Sequence, residues 1–311
     1  MAMKSFDTGN LCMKNILSTV VAVGLAFPAI SAAATNNSVS LQNGGSSAGC
    51  GSVPSVNFSE TSTIDENIND GAVGCTMSLD GYAGGGAVGI RGTLNHVPGG
   101  ITFSQIGASA TSAMTDISLT PLFDVNDRNE PFNQDFSVVV TLNAIVDGTL
   151  TAIVDNDTIS SQGGNTTFKA IASLSAGSGT DSRQYLASAG ASNPGSPTSD
   201  AAILDSVLNP SIVIDWRIPF SASFNLQGDA AAASGGVSFV TSTFDSYNSL
   251  SFSKDGPAFI LPEGFTVNAP ELNIIDNQWI DPRANVVPLP AGLPLLLSGL
   301  AVLGLLRRRS Q

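Results

Sequence analysis

Apolar and polar residues alternate with a period of two along much of the chain, most regularly over residues 136–146. Phe136, Val138, Val140, Leu142, Ala144 and Val146 fall on one side of an extended backbone, and Ser137, Thr141, Asn143 and Asp147 fall on the other. Asp147-Gly148 has the composition of a hairpin turn, after which Leu150, Ala152 and Val154 resume the alternation. Downstream, Ile212, Ile214, Trp216 and Ile218 alternate with Val213, Asp215 and Arg217. Beyond Pro219, which marks an edge or bend, Phe220, Ala222, Phe224 and Leu226 alternate with Ser221, Ser223, Asn225 and Gln227. Further strands are predicted over residues 166–175, 237–244 and 250–253, with short ones around 86–94, 101–106 and 113–119.

The intervening segments read differently. Residues 35–51 are rich in Asn, Ser and Gly and predict a flexible arm, and residues 177–200 predict a long small-residue loop. A short helix is expected over residues 200–208, with Asp200 as its cap and Pro210 beyond its end. Gly81-Tyr82-Ala83-Gly84-Gly85-Gly86 reads as a flexible connection, and residues 255–279 as a last strand with loops. Long amphipathic helical patterns are missing while Ser, Thr, Asn, Gly and Val abound, so the fold class is all-β. The expected architecture is an antiparallel β-sandwich, jelly-roll-like, over residues 35–280. An outer-membrane barrel is disfavoured because the outward positions are Ser, Thr, Asn and Asp rather than a lipid-facing apolar band.

Both ends carry export patterns. Met13-Lys14-Asn15 is a positive start, residues 16–27 are apolar, and Ser31-Ala32-Ala33-Ala34 suits signal peptidase, so residues 13–34 read as a signal peptide and residues 1–12 as an upstream extension. After a linker over residues 281–286, the chain ends in Val287-Pro288-Leu289-Pro290-Ala291, an apolar run, and Arg307-Arg308-Arg309. Pro288, Pro290 and Pro294 fix φ and remove backbone donors, so the run is entered in extended form. Residues 293–306 are uncharged and predict a transmembrane helix. Its length of about 21 Å reaches the ~30 Å of a bilayer core when counted back to Val286. The arginines then form a cytoplasmic stop and leave the main body outside.

The motif, run and arginine cluster over residues 287–311 together resemble the VPLPA variant of the PEP-CTERM sorting signal. Residues 261–268 and Ile275-Asp276-Asn277 are similar to phrases found just before such signals. The resemblance implies an exosortase substrate, cut near the proline motif by an integral-membrane cysteine protease. It also implies an inner-membrane-anchored intermediate, then delivery to the surface or extracellular matrix of a Gram-negative bacterium, with no enzymatic activity in the delivered part.

Charge and cysteine content narrow the partners. Residues 35–286 hold 24 acidic and seven basic side chains, a net charge near −17, which argues against nucleic acid and anionic membrane surfaces. Cys50 and Cys75 remain after signal removal, an even pair that predicts one disulfide in an oxidising compartment, worth about 3 kcal/mol by chain entropy. Two thiols and a distant His96 do not make a tetrahedral metal set, and no cofactor is expected.

Candidate chemistry in the body is sparse. Asp124, Asn126, Asp127 and Glu130 resemble a fragment of a calcium loop, but the usual glycine is missing and Arg128 intrudes, so a solvated turn is the favoured reading. His96 precedes Val97-Pro98-Gly99-Gly100 and reads as an exposed turn residue without a nucleophile to serve. Trp279, Tyr247, Tyr82 and Tyr185 fall at expected loop positions and could form aromatic platforms for a glycan, whereas Trp216 reads as core. The leading reading is a non-enzymatic exported surface protein. The alternatives are a carbohydrate-binding module for exopolysaccharide and, third, an Asp-dependent glycan hydrolase for which the spacing selects no carboxylate pair.

Overall fold

The computed structural model describes residues 33–43, 56–60, 64–72, 75–96, 103–127, 129, 131, 135–155, 162–193, 198–233 and 239–283, all within one compact unit that begins at Ala32. The chain is all-β and its strands pair antiparallel throughout. Twelve strands form two six-stranded sheets. In chain order these are β1 (Ala34–Asn43), β2 (Val56–Glu60), β3 (Ile64–Ala72), β4 (Cys75–Gly84), β5 (Ala87–His96) and β6 (Phe103–Ile117). Short β7 (Leu119–Pro121) and β8 (Ser137–Leu142) intervene before β9 (Ala144–Asp155), β10 (Gln162–Ala176), β11 (Gly179–Asn193) and β12 (Thr198–Leu208). After β13 (Ser211–Asp215) come β14 (Phe220–Ala233) and β15 (Phe239–Phe252), then the short β16 (Phe259–Ile260), β17 (Phe265–Val267), β18 (Ile274–Ile275) and β19 (Gln278–Trp279).

The first sheet has the order β11-β10-β14-β6-β1-β2 and the second β12-β9-β15-β5-β4-β3. Their inner faces pack together strand over strand, β14 against β5 and β15, β6 against β5, β10 against β9, and β1 against β4. The second sheet bends into a three-stranded continuation, β13-β8-β16. At the bend Leu142 N donates to Pro210 O at 2.9 Å and Asn143 N to Ala258 O at 3.0 Å, so hydrogen bonding carries across the break. The period-two reading of residues 136–154 holds on both sides of it, because Val138, Val140, Leu142, Ala144, Val146, Leu150, Ala152 and Val154 are all buried.

Several expectations are corrected. Asp147-Gly148 is no turn: β9 runs straight through it, paired with β12 and β15. Gly148 adopts φ 145°, and any Cβ there would collide with the Asp245 carbonyl, so the glycine serves a close backbone approach beside a register shift in β15. Residues 200–208 lie in strand β12 rather than a helix, because pairing with β9 along the whole element satisfies the backbone, and Asp200 Oδ2 accepts from Gly190 N at 3.0 Å instead of capping. Residues 179–193, expected in a loop, form β11, which folds back on β10 through the left-handed Gly177 (φ 55°). Residues 35–43 of the expected arm form β1, inserted between β2 and β6 with Val39 and Leu41 in the core. The Gly81–Gly86 connection is the end of β4 and a tight turn at Gly85-Gly86.

One aromatic ring registers the two sheets. Phe244 of β15 is fully buried and stands directly opposite Gly92 of β5, while Gly228 of the other sheet faces it across the core. A Cβ at Gly92 would overlap the Phe244 ring, and one at Gly228 would lie 2.8 Å from its Cδ2. The ring therefore occupies two glycine pits, one in each layer. In the same core, Phe224, Phe252, Phe259 and Phe220 form a chain of edge-to-face contacts with centroids 5.1–5.4 Å apart. Replacing Gly92 or Gly228 by Ala should each cost about 1–3 kcal/mol by overpacking. Phe244→Ala should cost about 3–5 kcal/mol by leaving a cavity. Urea unfolding followed by tryptophan fluorescence measures both, and a Gly228→Ala protein as stable as the parent would refute the two-pit account.

Candidate functional site

The sequence-predicted sites distribute unevenly over the described residues. Val287, Pro288, Leu289, Pro290, Ala291, Arg307, Arg308 and Arg309 lie outside them, as do Cys50, Arg128 and Glu130 and the segments read as signal peptide and transmembrane helix. No helix among the described residues is long and apolar enough to cross a membrane. Cys75 is disulfide-bonded, and its sulfur lies 4.0 Å from Ser104 Oγ, both residues being buried. Asp124 Oδ1 accepts from the backbone and side-chain nitrogens of Asn126 at 2.9 and 3.2 Å, and Asp127 Oδ1 does the same for Asn129 at 2.9 and 3.0 Å. These carboxylates thus close two successive Asx turns. Among the described residues no group of three or more His, Cys, Asp or Glu could hold a metal ion.

The expected aromatic platforms are corrected. Trp279 is buried, donating from Nε1 to Gly85 O at 2.7 Å, and Tyr82 is buried with its hydroxyl donating to Gly84 O at 3.2 Å. Tyr185 is half-buried against the core, and the Tyr247 side chain is outside the described residues. Trp216 is half-buried in an aromatic cluster with Phe123, Phe136 and Phe265, beside the exposed Arg217–Asp215 pair that pulls the Asp215 carboxyl down to about 2. His96 is not an exposed turn residue either. It ends β5 with 1% exposure, opposite Cys75 and Val240, and neither ring nitrogen has a partner.

The surface with room for a ligand is the outer face of the first sheet. Register across β6, β14, β10 and β11 sets up successive rows: Phe103, Ala233, Gly163, Ser192; then Gln105, Ala231, Asn165, Gly190; then Gly107, Asp229, Thr167, Ser188; then Ser109, Gln227, Lys169, Leu186. Three adjoining depressions follow these rows. One of about 420 Å³ is floored by the glycines and alanines beside Phe103 and Asn165. Another of about 460 Å³ lies between Thr167, Lys169, Leu186 and Asp229, and a third of about 220 Å³ between Gln227, Asp229, Ser40 and Gln42.

Asp229 sits where the last two meet. Its carboxylate leans over Gly107, where a Cβ would come within 2.8 Å of Oδ1. Its hydrogen-bond donor is Thr167 Oγ1, at 3.5 Å, and burial holds its pKa above the usual carboxylate value. Neighbouring Lys169, Gln227 and Asn165 make no side-chain hydrogen bond within the described residues. One row further along, Asn225 Nδ2 donates to Thr111 Oγ1 at 2.7 Å, and on the second sheet Thr241, Asn95 and Thr76 form a hydrogen-bonded string while Arg91 pairs with Asp80. Those seven side chains pair with one another, whereas Asn165, Lys169 and Gln227 in the depressions are left for solvent or a ligand. The rows carry one carboxylate, and Asp147 and Asp205, directly opposed on β9 and β12, are both solvent-exposed. Sequence reasoning identified Asn225 and Gln227 as outward-facing but not this site, because the register that aligns four strands is invisible within any one of them.

Comparison with known protein families, curated proteins and solved structures finds no match to this chain.

Burial lowers the His96 pKa below its ordinary 6.5. The folded state therefore holds the imidazole neutral while the unfolded chain protonates it, so stability is full above about pH 6.5 and falls as the pH drops below it. The urea midpoint should decrease from about pH 7.5 to 5.5. His96→Leu should flatten that decrease; an unchanged pH profile in this variant would sink the assignment.

Proposed function

We propose that this chain is a non-enzymatic exported protein, delivered through its C-terminus to the cell surface or extracellular matrix of a Gram-negative bacterium and processed there by an exosortase-type membrane protease. The observation that carries the reading is the composite ending: Val287-Pro288-Leu289-Pro290-Ala291, the apolar run, and Arg307-Arg308-Arg309. The signal-peptide pattern over residues 13–34, handled by signal peptidase, supports the same route. The acidic, Ser/Thr-rich outer faces suit a soluble cargo. A Cys50–Cys75 bridge fits an oxidising destination, and the disulfide-bonded state of Cys75 supports it.

The end of the β-domain is held close to the sorting motif. Arg283 pairs with Asp281 at 2.9 Å and packs its guanidinium over Tyr82, and Lys254 reaches Asp281 at 3.0 Å. Three residues separate Arg283 from Val287, a reach of at most about 14 Å over four peptide steps. A protease acting at the motif therefore works beside the folded domain.

A second reading, carbohydrate binding, is favoured by the depressions on the outer face of the first sheet, where the unpartnered amides of Asn165 and Gln227, the Lys169 ammonium and the Asp229 carboxylate share a face with an exposed Phe103.

Intact mass of the surface-released protein tests the delivery route. The mass should lack the apolar run and arginines, and recovery of full-length chain from cells with an active processing protease would overturn the proposal. The double variant Pro288→Ala, Pro290→Ala should accumulate uncut in the inner membrane. Alkylation under denaturing, non-reducing conditions should label neither Cys50 nor Cys75.

A further inference from the structure

We infer that the groove running along β10 and β14 on the outer face of the first sheet is the binding site for a linear, neutral polysaccharide, contacted by Phe103, Asn165, Thr167, Lys169, Gln227 and Asp229. The inference rests on the carbohydrate-binding reading and gives it a place and a ligand class.

Shape decides part of the assignment. Two of the depressions follow one another along the strand direction from the Phe103 row to the Lys169 row, six residue steps of β10, or about 20 Å, and the third joins the second across β14 at Gln227 and Asp229. They are open and shallow, unlike the enclosed cavities that swallow a small molecule. An extended polymer lying along the groove uses its whole length. The floor is kept low by Gly163 and Gly190. Neither glycine is required by the fold: their nearest obstacles to a Cβ are Ala191 O and Asn165 Oδ1, both 3.6 Å away. Gly107 is different, since its missing side chain is what lets Asp229 lean inward.

Chemistry decides the rest. Sugar rings offer hydroxyls around their edges and C–H groups on their faces. The groove answers with amides from Asn165 and Gln227, the under-donated Asp229 carboxylate, the Lys169 ammonium, and an apolar surface from Phe103, 40% exposed. Nucleic acid needs a basic stripe, and this face supplies one lysine in the four rows. A peptide added by strand pairing would use a sheet edge rather than a face whose backbone groups are already paired on both sides. Acidic polymers are disfavoured by a chain with net charge −13.

Affinity electrophoresis of the full chain in mild detergent, through gels containing either a linear neutral glucan or glucomannan or the acidic polymer alginate, tests this. The native protein should be retarded by a neutral polysaccharide and not by alginate. Lys169→Ala with Gln227→Ala should weaken retardation about tenfold or more. Gly163→Val should abolish it by filling the floor, while its thermal midpoint stays at or above that of the parent. Thr243→Ala, on the second sheet, should bind as the parent does. No retardation in any gel would overturn the carbohydrate reading itself. Retardation unchanged by both groove variants would overturn this site alone, and preference for alginate would overturn the neutral ligand.

Discussion

The ring of Phe244 inserted between Gly92 and Gly228 is the contact on which the remaining geometry depends. It ties the two sheets at one point, because a Cβ at either glycine would come within 2.8 Å of the ring. Buried Ser242, two residues away, adds a polar tie by donating across the layers to Ala231 O at 2.8 Å. A strand has a period of two, so once the inner residues of β14 and β15 are set, the outer residues follow without further choice. Asp229 and Gln227 are outward because Gly228 is inward.

That coupling links an interior constraint to the proposed ligand surface. The groove is made of outward residues on four strands, held in rows by ladders that the core registers. Its character comes from an imbalance: Asn225 and Thr111 are paired at 2.7 Å, whereas the Gln227 and Lys169 side chains have no hydrogen-bond partner among the described residues and Asp229 has one long donor, Thr167 at 3.5 Å. Unpaired polar groups beside small residues and one exposed ring make a surface that gains from contact with a hydroxyl-rich polymer. The second sheet, where Arg91–Asp80 and the Thr241–Asn95–Thr76 string satisfy one another, has less to gain.

The closing segment ties the fold to the export reading. Asp276 and Asn277 adopt left-handed φ values in the β18–β19 turn, and the Asn277 side chain both accepts from Phe259 N and donates to Phe259 O. Trp279 then reaches Gly85, and Asp281 gathers Arg283 and Lys254. The phrases that resemble those preceding sorting signals thus have a structural task of their own: they bond to each other, Asn277 N to Val267 O at 2.8 Å and Asp276 N to Asn268 Oδ1 at 2.7 Å, and lead into Trp279. Delivery and folding meet at this point, since the proposed cutting address begins a few residues further on.

Period-two alternation by itself determined much of the protein. It marked the inner face of residues 136–154 through a bend, the inward Phe224 and Leu226, and the all-β class, because burial of one strand face is a local pattern. The proposed export signals are equally local readings, being composition and order over short stretches. What the tertiary structure decided was whatever depends on a partner strand. Residues 179–193 and 200–208 carry too few apolar side chains, or too helix-like a cap, to declare themselves, yet a ladder along their full length makes them strands. Gly148 looked like a turn because Asp-Gly usually is one, but the Asp245 carbonyl needed the space. His96 and Tyr82 sit close to glycines or prolines that read as surface and Trp279 lies in a stretch that reads as loop, and only the tertiary packing buries them. The groove required most of all: no single strand contains it, since its rows exist only when β6, β14, β10 and β11 are aligned.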